Sequence, residues 1–339
     1  MKDYKKYVLL LVVISIFLLF FSIGYAQEKV WTLKLGATVT ENNDVATGIK
    51  KFVEIVEEKS EGRIKFDTYF GGSLGTHKTQ LENVISGLQD IYAETYTYFQ
   101  SYVPGFGIHA VPFFFKDNDE YRKFLLSPIE ADMEKELLEK TGLRIICEEK
   151  NWLKTPYRVI ISRRPIQSLE DLKGLKLRQP DAPTSIKVWG ALGAIITITP
   201  WSEVYLALQQ GMVDAITAPI SSIYDEKFYE VAKYATVTNE YMQQVPICIN
   251  NKKFESFPED LQNIIIDAAN EAGNYCTELI ERNGVIAREE AIKQGVTIYE
   301  FDLDSWRNKA AEAHKELEES GVVPAGLMDE IKDYLSSLN

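Results

Sequence analysis

Two arginines and one serine stand out for the chemistry their neighbours allow. Arg178 lies in "GLKLRQP" (174–180), where Leu175 and Leu177 alternate with Lys176 and Arg178 until Pro180 stops the run. That alternation predicts a half-buried strand, and open α/β sheets hold their ligands at the carboxyl ends of strands. A guanidinium there is a planar, permanently charged fork that meets a carboxylate in two parallel hydrogen bonds. Arg158 precedes it by 20 residues, at the start of an apolar run, "RVII". A charge in such a strand is costly unless paired, so Arg158 is either a ligand contact or half of a structural ion pair. Ser73 sits in "GGSLG", a G-x-S-x-G match between a strand and a helix, the context of a nucleophile elbow. A serine nucleophile needs a histidine base, and the chain has only His77, His109 and His314. His77 is too close in sequence, His109 falls in apolar "IHAVPFFF", and His314 is on a charged C-terminal helix. A secreted α/β serine hydrolase using Ser73 therefore stands as the alternative reading. A glycine-rich turn that brings backbone close to a ligand is the plainer one. No H-E-x-x-H, P-loop or G-x-G-x-x-G is present, so neither a metal nor a cofactor is expected. Cys147, Cys248 and Cys276 match no metal or redox spacing and are expected as buried free thiols.

The elements that must position these groups follow from periodicity. "WTLKLGATV" reads as a strand, and from Asp44 a helix follows with Val45, Ile49, Phe52, Val53 and Val56 at helical spacing. "EGRIKFDTYF", "GTHKTQLENVISGLQ" and "DIYAETY" continue the series as strand, helix and strand. The opening βαβαβ predicts a mostly parallel sheet with crossover helices, and "GLRIICEEK" (142–150) a further strand. A second α/β series starts near Pro156: "YRVIISR", "LKLRQ", "AIITIT" and "VDAITAP" as strands, "TSIKVWGALG" and "SEVYLALQQG" as helices. "QVPICIN" returns as a strand, and about 35 residues of nearly unbroken helix follow from Pro258. A helix of roughly 50 Å exceeds one small lobe and should cross both. The expectation is an α/β bilobal fold with a central cleft: 30–155 with 244–283 as lobe 1, and 156–243 with 284–337 as lobe 2.

Composition narrows the partners. Lys2, Lys5 and Lys6 precede an apolar run from Val8 to Ile23, and Gly24-Tyr25-Ala26 offers small residues for a cut. Residues 1–26 thus read as a cleaved secretory signal peptide. The alternative is a retained anchor, for which the run is short of the roughly 20 residues that span a bilayer. The chain of 339 residues has a net charge of −13, which argues against nucleic acid and anionic membranes as partners. It leaves small anions open, because the field of a cleft can oppose that of the whole surface.

The block from Gly174 to Pro219 is similar to the solute-binding proteins of tripartite ATP-independent periplasmic (TRAP) transporters, the DctP family. It carries G-L-K-L-R-x-P, W-x-A-L-G-A, P-W-S-E-V-Y-x-A-L-Q-x-G and V-D-A-x-x-x-P in order. "VEEKSEGRIKFDTYFGGSLG", "VPFFFKDNDEYRKFLLSP" and "NNKKFESFPEDLQNII" agree with other family segments, so the resemblance spans essentially the whole mature chain. It implies an extracytoplasmic, non-enzymatic receptor that closes on a small carboxylate and delivers it to the permease subunits. A monomer is expected, with dimers known among relatives. It implies Arg178 as the carboxylate clamp, Arg158 as a second ligand-contacting arginine, Trp201 as an aromatic wall and Glu94 as an acceptor for hydroxyls or an amine. Thr38 lies at the cleft-side end of the first strand. Two departures bear on the ligand. Thr217 and Ala218 stand where the family often has Asn or Glu before Pro219, and the common "TNH" reads "TNE", ending in Glu240. His77 stands where the sialic-acid branch has an acid. A His77–Glu240 pair across the closed cleft would swap the two groups, and sialic acid becomes a poorer fit than other sugar acids or dicarboxylates.

Overall fold

A computed structural model describes residues 29–93, 95–154 and 158–338. The signal-peptide reading and Glu94 lie outside them. The first half runs β1 (Trp31–Gly36), α1 (Asp44–Lys59), β2 (Ile64–Tyr69), α2 (His77–Ser86), β3 (Ile91–Ala93), α3 (Asn118–Leu125), α4 (Pro128–Thr141) and β4 (Leu143–Ile145). The second series is β5 (Arg158–Ser162), β6 (Lys176–Gln179), α5 (Pro183–Ala191), β7 (Ile195–Ile198), α6 (Val204–Gln210), β8 (Ala215–Pro219), α7 (Ser222–Asp225) and β9 (Tyr234–Val237). The chain then returns through β10 (Ile247–Asn250), α8 (Asn251–Glu255), α9 (Glu259–Lys293) and β11 (Thr297–Tyr299), and ends in α10 (Asp304–Glu319) and α11 (Leu327–Ser337).

These strands form two sheets, ordered β2-β1-β3-β10-β4 and β11-β9-β5-β8-β6-β7. The βαβαβ expectation holds for β2, β1 and β3, which are parallel. Each sheet as a whole is mixed, because β10 runs antiparallel to β3 and β4, and β5 antiparallel to β8 and β9. The odd strands are the ones next to chain crossings: β5 enters the second sheet and β10 re-enters the first. The strand foreseen over 142–150 is limited to Leu143–Ile145. Beyond it the chain turns toward the other sheet, and residues 152–154 pair antiparallel with the returning 243–245. Lys154 N–H donates to Gln243 O at 2.7 Å and Val245 N–H to Trp152 O at 2.9 Å.

Local chemistry explains the helix limits. The Asn43 side chain accepts from Val45 N–H to open α1, and Ser127 with Pro128 opens α4. Gly211 in the left-handed region closes α6, as its sequence position suggested. α9 is a single helix of 35 residues. Its N-terminal part, from Leu261 to Ile280, joins the core beneath the first sheet, and Ala287 and Ala291 join that of the second. It thus spans both. The close approach of α1 and α9 depends on Gly48, where an added Cβ would fall 2.6 Å from Cys276. Cys147, Cys248 and Cys276 are free and buried, and burial raises the Cys147 thiol to about 11.

Candidate functional site

The strand that carries Arg178 shows why it is special. Along β6, Lys176 is exposed and Leu177 buried, as alternation requires, but Arg178 and Gln179 are also buried. At this end both faces of the strand are covered, one by core and the other by the cleft. Arg178 is only 4% exposed. Its Nε and one terminal nitrogen donate to Thr199 O at 2.8 and 2.6 Å, and its guanidinium lies 5.5 Å from the Trp201 ring. No carboxylate pairs with it among the described residues. Burial pulls its pKa below the usual value for an arginine, as expected for a charge without a counter-ion.

Arg158, the first residue of β5, is held very differently. Nε donates to Glu240 Oε1 at 2.9 Å, one terminal nitrogen to Gln243 Oε1 at 3.1 Å and the other to Thr217 Oγ1 at 3.2 Å. The guanidinium rests 4.2 Å from the Tyr241 ring. Glu240 is fully buried, and its second oxygen accepts from Thr238 Oγ1 at 2.5 Å. Burial disfavours the Arg158 charge, but Tyr241 and Glu240 outweigh it and raise its pKa.

A cavity lies between the sheets. Thr38, Val39, Asn43, His77, Thr95, Thr97 and Tyr98 line it from the first-sheet side. Arg158, Arg178, Pro180, Trp201, Thr217, Ala218, Pro219 and Ser222 line it from the second. Lys154, Tyr241 and Gln243, from the two crossing segments, complete the wall. The two sides touch across the cleft, where Thr40 Oγ1 donates to Glu226 Oε1 at 3.2 Å. Beside the cavity, sharing His77, Tyr98, Arg178 and Pro180 with it, a wider groove opens. Among the described residues no group of His, Cys, Asp and Glu could hold a metal ion.

Of the residues singled out in the sequence, Arg178, Arg158, Trp201, Thr38, Thr217, Ala218 and His77 come together on this cavity. Glu240 does not reach it; it stands behind Arg158. The His77–Glu240 pair is therefore corrected. His77 Nδ1 bonds to Tyr92 Oη at 2.6 Å and the ring stacks on Tyr98 at 4.0 Å, and Glu240 is already occupied by Arg158 and Thr238. A buried carboxylate takes the nearest cation, and Arg158 is adjacent to it across the β5–β9 edge. Ser73 opens on a separate surface groove with Thr40, Lys50 and Phe70. The ring nitrogens of His109 bond Tyr121 and Glu130, and His314 Nε2 bonds Pro112 O at 2.8 Å. Sequence reasoning missed Tyr98, Thr95, Tyr241 and Gln243. All four lie in segments adjoining strands or crossings, and no local motif marks them.

The description "Bacterial extracellular solute-binding protein, family 7" (DctP) matches residues 35–320. A solute-binding protein of Sulfitobacter sp. is 31% identical over 90% of this chain and 91% of its own. The 2,3-diketo-L-gulonate-binding periplasmic protein of Escherichia coli is 28% identical over 74% of this chain and 75% of its own. Among solved structures, a TRAP periplasmic solute-binding protein from Ochrobacterium anthropi with bound L-fuconate is 29% identical. It superposes with a TM-score of 0.82 over 90% of this chain and 99% of its own. A bilobal α/β fold, a cavity between the sheets and a match over most of the length agree: this chain belongs to the DctP family of TRAP solute-binding proteins.

Proposed function

We propose that this protein is an extracytoplasmic receptor that captures a sugar acid and delivers it to the membrane subunits of a TRAP transporter. It binds without turnover, as a monomer, after export directed by residues 1–26. The carrying observation is Arg178, a buried cation on the cavity wall with no carboxylate partner among the described residues. A ligand carboxylate supplies the missing counter-charge through a charge-assisted, two-point contact. Hydroxyl and amide groups on the rest of the wall suit a polyhydroxylated chain. The relatives that bind L-fuconate and 2,3-diketo-L-gulonate support the same class.

The two proposed lobes, 30–155 with 244–283 and 156–243 with 284–337, each own one sheet, although α11 of the second lobe packs on α3 of the first. The paired segments 152–154 and 243–245, together with α9, form the hinge. A ligand that touches both lobes only when the cleft is shut shifts the population toward the closed state. The test is a thermal-shift and calorimetric panel of aldonates, uronates, diketo acids and dicarboxylates. A sugar acid that raises the melting temperature and is recovered unchanged supports the reading. Hydrolysis of an ester probe that disappears in Ser73→Ala would instead establish the hydrolase.

A further inference from the structure

Arg158 and Arg178 are 20 residues apart and line one cavity, yet only Arg158 has a carboxylate partner among the described residues. Every nitrogen of the Arg158 guanidinium has a protein acceptor, and Glu240 cancels its charge inside the wall. Arg178 donates to the neutral Thr199 carbonyl and meets the neutral Tyr98 side chain, and no carboxylate pairs with it among the described residues. Lys154 is the remaining cation on the described wall, and it too is already engaged. The same cavity is lined by neutral groups, among them the Thr95 hydroxyl, which is buried with no hydrogen-bond partner among the described residues. A carboxylate taken from water into such a site needs its own counter-charge, whereas a ligand hydroxyl needs only a donor or acceptor.

We propose that Glu240, by neutralising Arg158, makes this cavity selective for ligands with a single carboxylate and a hydroxylated tail over dicarboxylates of the same length. The inference rests on the sugar-acid reading and adds the ligand's charge to it. Glu240 acts through Arg158 and is a positioning residue that never touches the ligand.

The test compares aldonates with the aldarates that differ from them only by oxidation of the last carbon: gluconate, galactonate and mannonate against glucarate, galactarate and mannarate. Calorimetry is run on the wild type, on Glu240→Gln and on the double variant Arg158→Met/Glu240→Met. Circular dichroism melts confirm that each is folded. In the wild type the best aldonate should bind at least tenfold more tightly than its aldarate. Glu240→Gln frees the Arg158 charge and should shift that ratio at least tenfold toward the aldarate. The double variant removes both charges together and should keep the wild-type preference, which a general loss of packing would not predict. Equal or tighter wild-type binding of the aldarate overturns the proposal, as does a ratio in folded Glu240→Gln that stays within threefold. The wild-type ratio decides even if Glu240→Gln does not fold. Binding of neither class overturns the sugar-acid reading itself, and so is distinguishable from failure of the charge argument alone.

Discussion

Replacing Arg178 by Met should weaken ligand binding while leaving the stability of the empty protein nearly unchanged. The side chain is 4% exposed and has no acidic partner among the described residues. The effective cost of keeping such a charge buried is several kcal/mol. Against it stand two hydrogen bonds to Thr199 O, roughly 1.5–3 kcal/mol each for a charged donor, a contact with the Tyr98 side chain, and the Trp201 ring at 5.5 Å, about 1 kcal/mol. Met fills much of the same volume without the charge, so the opposing contributions nearly cancel and the empty protein should change by no more than about 1 kcal/mol, or roughly 2 °C for a chain of this size. Ligand affinity has no such compensation. Removing the partner of a buried carboxylate costs about 2–5 kcal/mol, which is roughly thirty- to several-thousand-fold in Kd. Calorimetry with the tightest sugar acid and ligand-free scanning calorimetry measure the two effects separately. A melting temperature several degrees lower would mean that Arg178 is a structural brace. Affinity within threefold of wild type would remove it from the ligand site altogether.

Thr95→Val should leave the ligand-free protein as stable or slightly more so, since it deletes a buried hydroxyl that has no partner among the described residues. It should weaken sugar-acid binding about three- to tenfold in calorimetry, the loss of one neutral hydrogen bond. Asp225 is pushed up to about 7, first by burial and then by Asp44 and Glu226. The native state therefore holds a proton that the unfolded chain releases near pH 4, so this group's contribution to stability falls as pH rises from about 4 to 7 and is level above that. Asp225→Asn should flatten this trend and raise stability at pH 8 by up to about 4 kcal/mol; urea titrations at pH 5 and pH 8 check it, and a parallel shift at both would refute it. Gly48→Ala should destabilise by about 1–3 kcal/mol in denaturant titration, because the new methyl group meets Cys276 where α1 and α9 touch.

The elements were legible because their signals are local. Apolar spacing marked α1, the parallel β2-β1-β3 unit and the 35-residue α9, and the left-handed Gly211 closed α6 where expected. Strand direction was less legible: periodicity is the same in parallel and antiparallel strands, so β5 and β10 gave no sign that they run against their neighbours. Arg178 and Trp201 were readable because they sit in an ordered run of family motifs at a strand end. Tyr98 and Thr95 were not, since a residue after a short strand can face any direction. The sequence alone thus determined the fold class, the family resemblance and the presence of two arginines suited to carboxylates. Only the tertiary structure decided which of them is available. Glu240 lies 82 positions from Arg158 in the chain yet 2.9 Å away in space, and charge compensation depends on distance in the folded protein, which no local pattern encodes.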